Sequence, residues 1–377
     1  MDAKAPCGAL RFFRPMNDPR EKRGIRHRLP DMIAIAITAV ICNADGWEDI
    51  EIFGKCKAKW FATFLDLPHG VPSHDTFARV FAKLDPDEFE SCFRQWMAHL
   101  GDTSQGRLIA VDGKTLRHSF DTASEKTALH MINAWCTTNQ SVLGQMVCGT
   151  KENEIPVLPR LLKLLDLDGA VVTADAMHCQ KKTAKVIRQG KGDYLLQVKD
   201  NQPSLHENIE LLFEQGLTDD CRGVRYDFSE TTEAGHGRIE TRRCWCSDDI
   251  VGVAPSDDWP GLKTVVCVER IRRIGSETTR KRHYYISSLP ADAKTLLRCS
   301  RNHWGVENQL HWRMDVVFHE DARRIRKDHA AENYTRLSRI ALNLLKADTS
   351  VKASIRQKRK LAGWDHDFLL NLIALET

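Results

Sequence analysis

Several features that would place a protein in a membrane or a secretory pathway are missing from this sequence. The longest apolar run, residues 32–42, is far shorter than the roughly 20 residues that a membrane-spanning helix needs. The opening residues, MDAKAPCGALRFF, lack the charged and then apolar pattern of a signal peptide. We therefore expect a cytoplasmic protein without a membrane partner, and residues 32–42 are predicted to form a buried core helix.

Closely spaced cysteine pairs are also scarce, although the chain contains 12 cysteines. Cys244 and Cys246 form the only close pair, and no second pair follows at the distance typical of a zinc finger. The cysteines are therefore predicted to be reduced, and most of them to be buried as small apolar side chains.

An excess of charge of one sign is likewise absent, because the formal net charge is only +4 over 377 residues. Such a mild value does not indicate a nucleic-acid-binding protein by itself, so the distribution of basic residues has to decide. The charged fraction of 28% and the hydrophobic fraction of 42% are typical of a globular protein with a sizeable core.

Residues 1–100 are predicted to be helical. Pro30 and Asp31 stand where a helix would begin, ahead of the apolar run. Ser73 is a candidate helix cap, and a further helix is expected near Pro86. Short helices joined by tight turns are compatible with a helix-turn-helix DNA-binding unit and equally with a plain helical bundle.

The pattern changes near residue 107, where short apolar runs typical of buried strands begin. Three strands are followed by a helix, a strand, a second helix and a fifth strand, which predicts a mixed α/β sheet. Residues 217–290 alternate like strands and are interpreted as a β-rich insertion, after which helices resume. The interval 101–347 is thus predicted to form an α/β domain, and residues 348–377 a basic helical tail.

Two aspartates are expected at the ends of strands in this sheet. RLIAVDG places Asp112 at the end of the first strand, and GAVVTADA places Asp175 at the end of the fourth. Side chains at the carboxyl ends of neighbouring strands point into one crevice, where open α/β sheets form their sites. One such aspartate is most often only a turn residue, but two on separate strands favour a site for Mg²⁺ or Mn²⁺.

A third acid, Glu307, lies in the segment RNHWGVENQLHWRMD. If this segment is helical, Trp304, Glu307, His311 and Asp315 share one face. A face that mixes aromatic, acidic and imidazole groups favours a helix beside a site, although an ordinary amphipathic helix is the alternative. Trp312 is expected to pack in the core.

Four phrases carry a family resemblance: AVDGKTLR, VTADAMHCQ, GHGRIETR and RNHWGVENQLHWRMDVVFHED. Together and in this order, they resemble the H-repeat-associated branch of DDE-class insertion-sequence transposases. The resemblance extends over almost the whole chain. It implies a ribonuclease-H-like catalytic domain, with the β-rich insertion before its last core helix, preceded by a small helical transposase-associated domain.

The resemblance implies that Asp112, Asp175 and Glu307 are the catalytic and metal-binding acids. It implies DNA cleavage at the ends of a mobile element and strand transfer into target DNA, with two Mg²⁺ or Mn²⁺ ions and a homodimer in the DNA complex. Two metal ions can activate the attacking oxygen and stabilise the leaving oxygen, so no nucleophilic side chain is required. Asp315, Glu320 and Asp321 are rival acids near Glu307.

Basic and aromatic residues cluster in the predicted insertion and around Glu307. A basic strand surface suits a phosphate backbone, although a solvated sheet face is the ordinary alternative. The candidate DNA-binding residues are His236, Arg238, Arg242, Arg270, Arg272, Arg280, Lys281, Arg282, Arg301, His303, Trp304, His311 and Arg313. A second basic cluster at Arg356, Lys358, Arg359 and Lys360 indicates either DNA contact or a charged helix face.

Two alternative functions stay open on the sequence. One is a structure-selective DNA nuclease that uses the same acids without strand transfer. The other is an inactive descendant of a transposase that only binds DNA. The β-rich insertion and the phrases around Glu307 favour transposition, and the presence of all three acids disfavours an inactive descendant.

Overall fold

The computed structural model describes residues 8–21, 23, 25–99, 106–120, 127–149, 153–218, 225–235, 237–254 and 258–374. None of the helices in these ranges is long and apolar enough to cross a membrane.

The N-terminal region is helical, as predicted. A short 3₁₀ turn, Ala9–Phe13, precedes five helices: α1 (Leu29–Ile41), α2 (Trp47–Cys56), α3 (Ala58–Phe61), α4 (His74–Lys83) and α5 (Pro86–His99). Helix α1 is apolar on all sides, and every residue except Pro30 is buried. A helix of this composition needs partners around its whole circumference.

Five strands form the first part of a large sheet: β1 (Leu108–Leu116), β2 (Leu129–Cys136), β3 (Ser141–Val147), β4 (Val171–Ala174) and β5 (Asp193–Val198). Strand β1 pairs antiparallel with β2 and parallel with β4, and β4 pairs parallel with β5. The predicted mixed α/β sheet is therefore confirmed.

Four further strands extend this sheet in the described part of the chain: β6 (Asp227–Gly235), β7 (Arg238–Ser247), β8 (Thr264–Ile274) and β9 (Glu277–Ser287). Strand β9 pairs antiparallel with β5, so the nine strands run in the order β3-β2-β1-β4-β5-β9-β8-β7-β6. The segment interpreted as an insertion thus continues the same sheet.

The remaining helices cover the sheet and return to the N-terminal region. They are α6 (Glu154–Leu162), α7 (Lys181–Gln189), α8 (Pro203–Thr218), α9 (Ala293–His303), α10 (Trp312–Val316), α11 (Ala330–Ala347), α12 (Ile355–Trp364) and α13 (His366–Ala374). Helix α6 tolerates Pro159 in its interior.

One apolar core connects these parts. Helix α11 packs against α1, α4, α5, α12 and β3, and it is buried over almost its whole length. Core side chains come from the N-terminal helices, the sheet and the C-terminal helices alike, as shown by Ile37, Trp135 and Leu369. Strands β1 to β5 therefore share one apolar core with helices from both the N-terminal and the C-terminal parts of the chain.

Candidate active site

Asp112 and Asp175 lie side by side at one edge of the parallel part of the sheet. Val111 pairs with Ala174 in register, Asp112 follows Val111 within β1, and Asp175 directly follows the end of β4. Strand β1 does not end at Asp112 as expected, because its antiparallel pairing with β2 continues to Leu116. Only its pairing with β4 stops there, and that stop opens a crevice between the strands.

Glu307 reaches the same place from the helical segment after α9. Residues Val306–His311 form a π-helical turn between α9 and α10. Such turns occur frequently at functional sites. Asp112, Asp175 and Glu307 all line one cleft with a volume of ≈ 580 Å³. Residues that are far apart in the sequence are thus brought together.

The acidic end of the cleft has few positive partners. Burial, together with the negative charges of Glu307 and Asp175, raises the pKa of Asp112 to about 7. Burial also raises the pKa of Glu307. Within the described ranges, one carboxylate oxygen of Asp175, Oδ1, is buried without a hydrogen-bond partner. The cluster therefore concentrates carboxylate oxygens that the described side chains leave uncompensated.

A hard divalent cation fits this donor set, because carboxylate oxygens are the ligands that Mg²⁺ and Mn²⁺ prefer. Among the described residues, no group of three or more His, Cys, Asp or Glu side chains is already arranged to hold a metal ion. The acids thus share a cleft, and small side-chain movements would be needed to bring their oxygens onto one ion.

A hydrogen-bonded network of His130, Glu154 and His178 lies next to both aspartates. The Glu154 carboxylate lies between two imidazoles, 2.6 Å from Nε2 of His130 and 2.8 Å from Nε2 of His178. Burial alone would raise its pKa, but the hydrogen bonds and charges of both histidines lower the pKa of Glu154 to about 2. Nε2 of His178 also lies 4.0 Å from Oδ1 of Asp175, and a Cβ on Gly113 would collide with Glu154.

Sequence reasoning missed this network. His178 stands three residues after Asp175 within the phrase VTADAMHCQ, which was the available signal. Glu154 opens helix α6, where an acid is ordinarily interpreted as a favourable helix-start residue.

The segment around Glu307 differs from the single helical face that was predicted. Trp304, Glu307 and Asn308 line the cleft, and His311 places Nδ1 3.4 Å from Oδ2 of Asp112. Asp315 instead forms an ion pair with Lys114. The π-helical turn rotates the residues that follow it, so regular helical spacing no longer applies.

Trp312 is 56% exposed, so the expectation that it packs in the core was wrong. Trp304 is 47% exposed at the edge of the cleft. Both indole rings are therefore accessible near the three acids.

The histidines beside the acids are held neutral. Burial, together with the positive charges of Lys114 and Arg339, lowers the pKa of His311 to about 3. Burial likewise lowers the pKa of His303 to about 4, and its Nδ1 lies 3.0 Å from the Thr173 hydroxyl.

The rival acids near Glu307 are committed to other partners. Asp315 pairs with Lys114, and Glu320 is buried in ion pairs with Arg339 and with Lys114, the latter at 3.6 Å. Asp321 lies 3.3 Å from Arg117. None of the three lines the cleft in the described part of the chain.

Basic side chains also line this cleft. Several of the candidate DNA-binding residues are among its lining residues, namely Arg238, Arg242, Arg270, Arg272, Arg301, His303 and Trp304. Lys199, which the sequence did not single out, also lines the cleft, so the five arginines and this lysine outnumber the two carboxylates Glu233 and Glu240, with which four of the arginines pair. The basic lining can therefore attract phosphate groups.

The other candidate DNA-binding residues lie elsewhere. Alternation along β9 turns Arg280 and Arg282 to the face opposite Arg270, and Arg282 pairs with Glu269 at 3.4 Å. Lys281 shares the face of Arg270 but lies outside the cleft lining, and Arg313 borders a separate depression. His236 lies outside the described residues.

Comparison with known proteins gives the family. Residues 103–344 match the family described as "Transposase DDE domain", and residues 10–97 match the family "DDE_Tnp_1-associated". The chain belongs to the DDE-type insertion-sequence transposases.

Relatives in this transposase family match almost the whole chain. The "H repeat-associated putative transposase YhhI" of Escherichia coli (strain K12) is 38% identical over 364 residues, 95% of each chain. The "Putative transposase YncI" of Escherichia coli O157:H7 is 37% identical over 97% of this chain and 94% of its own. A solved piggyBac transposase synaptic complex with hairpin DNA aligns over 98% of this chain and 80% of its own, at 11% identity and a TM-score of 0.44.

Proposed function

We propose that this chain cuts DNA at the ends of a mobile element and joins the cut ends to target DNA. Asp112, Asp175 and Glu307 would hold two Mg²⁺ or Mn²⁺ ions in a domain of the ribonuclease-H-like class. The observation that carries the proposal is the single cleft in which these three acids face a basic sheet surface.

Bound divalent ions would supply activation of the attacking oxygen and stabilisation of the leaving oxygen. The chain's own residues position the parts. The Gly113 N–H donates to Oδ1 of Asp112 at 2.9 Å, which orients that carboxylate. The arginines of β7 and β8 would hold the DNA backbone, because guanidinium groups bind phosphate with two parallel hydrogen bonds.

The proposed partner is double-stranded DNA, both at the element ends and at the target. Paired element ends imply a homodimer in the DNA complex, and the helical N-terminal region is a further candidate DNA-binding part. The proposed location is the cytoplasm, on the nucleoid when DNA is bound.

The test is cleavage of a DNA that carries the flanking element ends, with Mg²⁺ or Mn²⁺, by the full chain. Asp112→Ala, Asp175→Ala and Glu307→Ala are each expected to bind this DNA and to cut it at least roughly 100-fold more slowly, a barrier increase of about 2.7 kcal/mol. Asp315→Ala is the matched control, because Asp315 is a nearby acid outside the cleft lining.

Each other outcome has a distinct meaning. Cutting that survives Glu307→Ala but not Asp315→Ala would move the third ligand to Asp315. Cutting by the wild type without a joined product would favour the structure-selective nuclease. DNA binding without any cutting by the wild type would favour the inactive descendant.

A further inference from the structure

A second depression lies apart from the catalytic cleft. It has a volume of ≈ 250 Å³ and lies where the end of α1, the end of α10 and one face of α12 meet. It shares no lining residue with the cleft that contains the three acids. Its lining comprises Cys42, Asn43, Val316, Val317, His319, Arg356, Arg359, Lys360, Gly363 and Trp364.

Helix α12 contributes two exposed cations and an indole to the lining of this depression. Arg356, Lys360 and Trp364 recur every four residues, so they form one stripe along the helix. Arg356 and Lys360 are exposed, and Trp364 is 79% exposed. The Trp364 ring is therefore accessible to a ligand in the depression.

The two other basic residues of α12, Lys358 and Arg359, are buried and bonded within the protein. Lys358 is buried, pairs with Asp348 at 2.7 Å and donates to the Leu345 carbonyl at 3.2 Å. Arg356 and Lys360 are therefore the members that a ligand could reach.

Arg359 forms the floor of the depression with only 1% of its surface exposed. Its three nitrogens donate to the backbone carbonyls of Val40, Ile41 and Val317, and its guanidinium stacks over Phe318 at 4.1 Å. No carboxylate of the described residues forms an ion pair with it.

Burial lowers the pKa of Arg359 to about 10, so the group stays charged at neutral pH. Carbonyl dipoles and the negative charge of Asp45 thus partly offset this buried cation.

Two acids lie near this depression without being among its lining residues in the described part of the chain. Oδ2 of Asp45 accepts a hydrogen bond from His319 at 2.8 Å, and the charge of Asp45 also acts on Arg359. Asp365 accepts hydrogen bonds from the backbone N–H groups of Asp367 and Phe368, which begin α13. The depression is therefore lined by cations without a free carboxylate among its lining residues, which favours an anionic ligand.

We propose that this depression binds the phosphate backbone of DNA, with Arg356 and Lys360 on the phosphates and Trp364 against the sugar. The proposal rests on the proposed function, because it places a second contact on the same DNA. Val316 lines the depression, and nine residues of continuous helical turns separate it from Glu307, a rise of roughly 14 Å. One strand could span this distance with about four nucleotides.

The experiment measures binding of a duplex with an element end in the presence of EDTA, so that no cutting is needed. Arg356→Ala combined with Lys360→Ala is expected to raise Kd about 10-fold or more. The slope of log K against log salt is expected to fall by about 2, since each lost phosphate contact removes about 0.9. Lys163→Ala with Lys185→Ala is the matched control, because it removes two exposed lysines that line neither depression.

Two further comparisons sharpen the result. Trp364→Ala is expected to weaken binding several-fold, whereas Trp364→Phe should retain most of it. A separate test for a small-anion site adds inorganic phosphate alone and compares the thermal melting of the wild type and the double variant. Stabilisation by phosphate in the wild type only, with DNA affinity equal in both, would overturn the DNA assignment.

The two proposals fail in different ways. If the wild type cuts DNA but the double variant binds as tightly and with the same salt slope, this depression is not a DNA site. If the double variant loses affinity for DNA while the wild type binds DNA and never cuts it, the depression is a DNA-binding site but the proposed catalysis is wrong.

Discussion

Glu154 lies next to residues that neighbour both aspartates of the site, His178 on one side and Gly113 on the other. Glu154→Gln keeps the shape but removes the charge that both imidazoles contact. We expect the free energy of unfolding at neutral pH to fall by about 1–3 kcal/mol, because hydrogen bonds to a charged group are lost. Cleavage should slow as well, since the aspartates lose their support.

The effect of Glu154→Gln should depend on pH. The folded protein holds the pKa of Glu154 at about 2, below the ordinary value of 4.5. Its stabilising contribution is therefore complete above pH 4.5 and is lost as the pH falls through about 2. Urea unfolding at pH 7 and pH 3 should show a smaller difference between wild type and variant at pH 3. An equal difference at both values would contradict this role.

The ionisation of Asp112 should affect stability in the direction opposite to that of Glu154. Its pKa of about 7 lies above the ordinary 3.8, so ionisation in the folded state is unfavourable. The folded protein binds this proton more tightly than the unfolded chain, and stability without divalent ions falls as the pH rises from about 4 to about 7.

Asp112→Asn removes this penalty. In EDTA at pH 8, the variant should be more stable than the wild type by about 1–3 kcal/mol, and the gap should narrow at pH 5. Adding Mg²⁺ should stabilise the wild type more than the variant. Urea unfolding curves of both proteins in EDTA at pH 8 and pH 5, and with added Mg²⁺, measure these differences. A variant that is less stable than the wild type in EDTA at pH 8 would contradict the unfavourable ionisation of Asp112.

Local sequence signals predicted most elements of the fold. Short apolar runs indicated β1 to β5, and helical spacing indicated α7 and α11. The pairing of β9 with β5 could not be predicted, because it joins residues about 90 positions apart and has no local signature. The π-helical turn at Glu307 was also missed, since one changed helical turn leaves composition unaltered while rotating Trp312 outward.

The same difference between local signals and contacts across the fold applies to the candidate site. Asp112 and Asp175 were predicted from strand ends, and the structure brings them into one cleft with Glu307. Their assignment as metal ligands stays a prediction. Lys199 and the His130–Glu154–His178 network were not predicted, because their role depends on distances across the sheet rather than on neighbours in the sequence.

A buried ion-pair cluster ties three elements together. Glu320 pairs with Arg339 of α11 and, at 3.6 Å, with Lys114 of β1, and all three side chains are buried. Glu320→Gln would leave two buried cations without their shared partner. We expect a loss of about 3–5 kcal/mol in urea unfolding, since an unpaired buried charge is costly.

A double variant provides the control for this cluster. Glu320→Leu with Arg339→Met removes both members, so it should be more stable than Glu320→Gln alone. Additive losses in the double variant would show that the two side chains do not act as a pair.

The molecule as a whole depends on its last helices. Ile355, Leu369 and Ile373 are buried in the same core as the N-terminal helices and the sheet. Deletion of residues 348–377 would remove several buried side chains, each worth about 2–5 kcal/mol, and would exceed typical domain stability of about 5–15 kcal/mol. The truncated chain is expected to lack a cooperative thermal transition by circular dichroism.

Trp364→Ala serves as the control for this truncation. Its side chain lies in α12 but is mostly exposed, so the melting transition should be nearly unchanged. A truncated chain that melts as cooperatively as the wild type would show that the C-terminal helices are dispensable for folding.

The burial of α1 also has a consequence for synthesis on the ribosome. Helices α11 and α12, which cover part of this apolar helix, lie about 290 residues or more further along the chain. At about 5–20 residues per second, the nascent chain would carry a partly uncovered hydrophobic helix for roughly 15–60 s. During that interval the exposed side of α1 could bind a chaperone, and a polypeptide released early would be prone to aggregation.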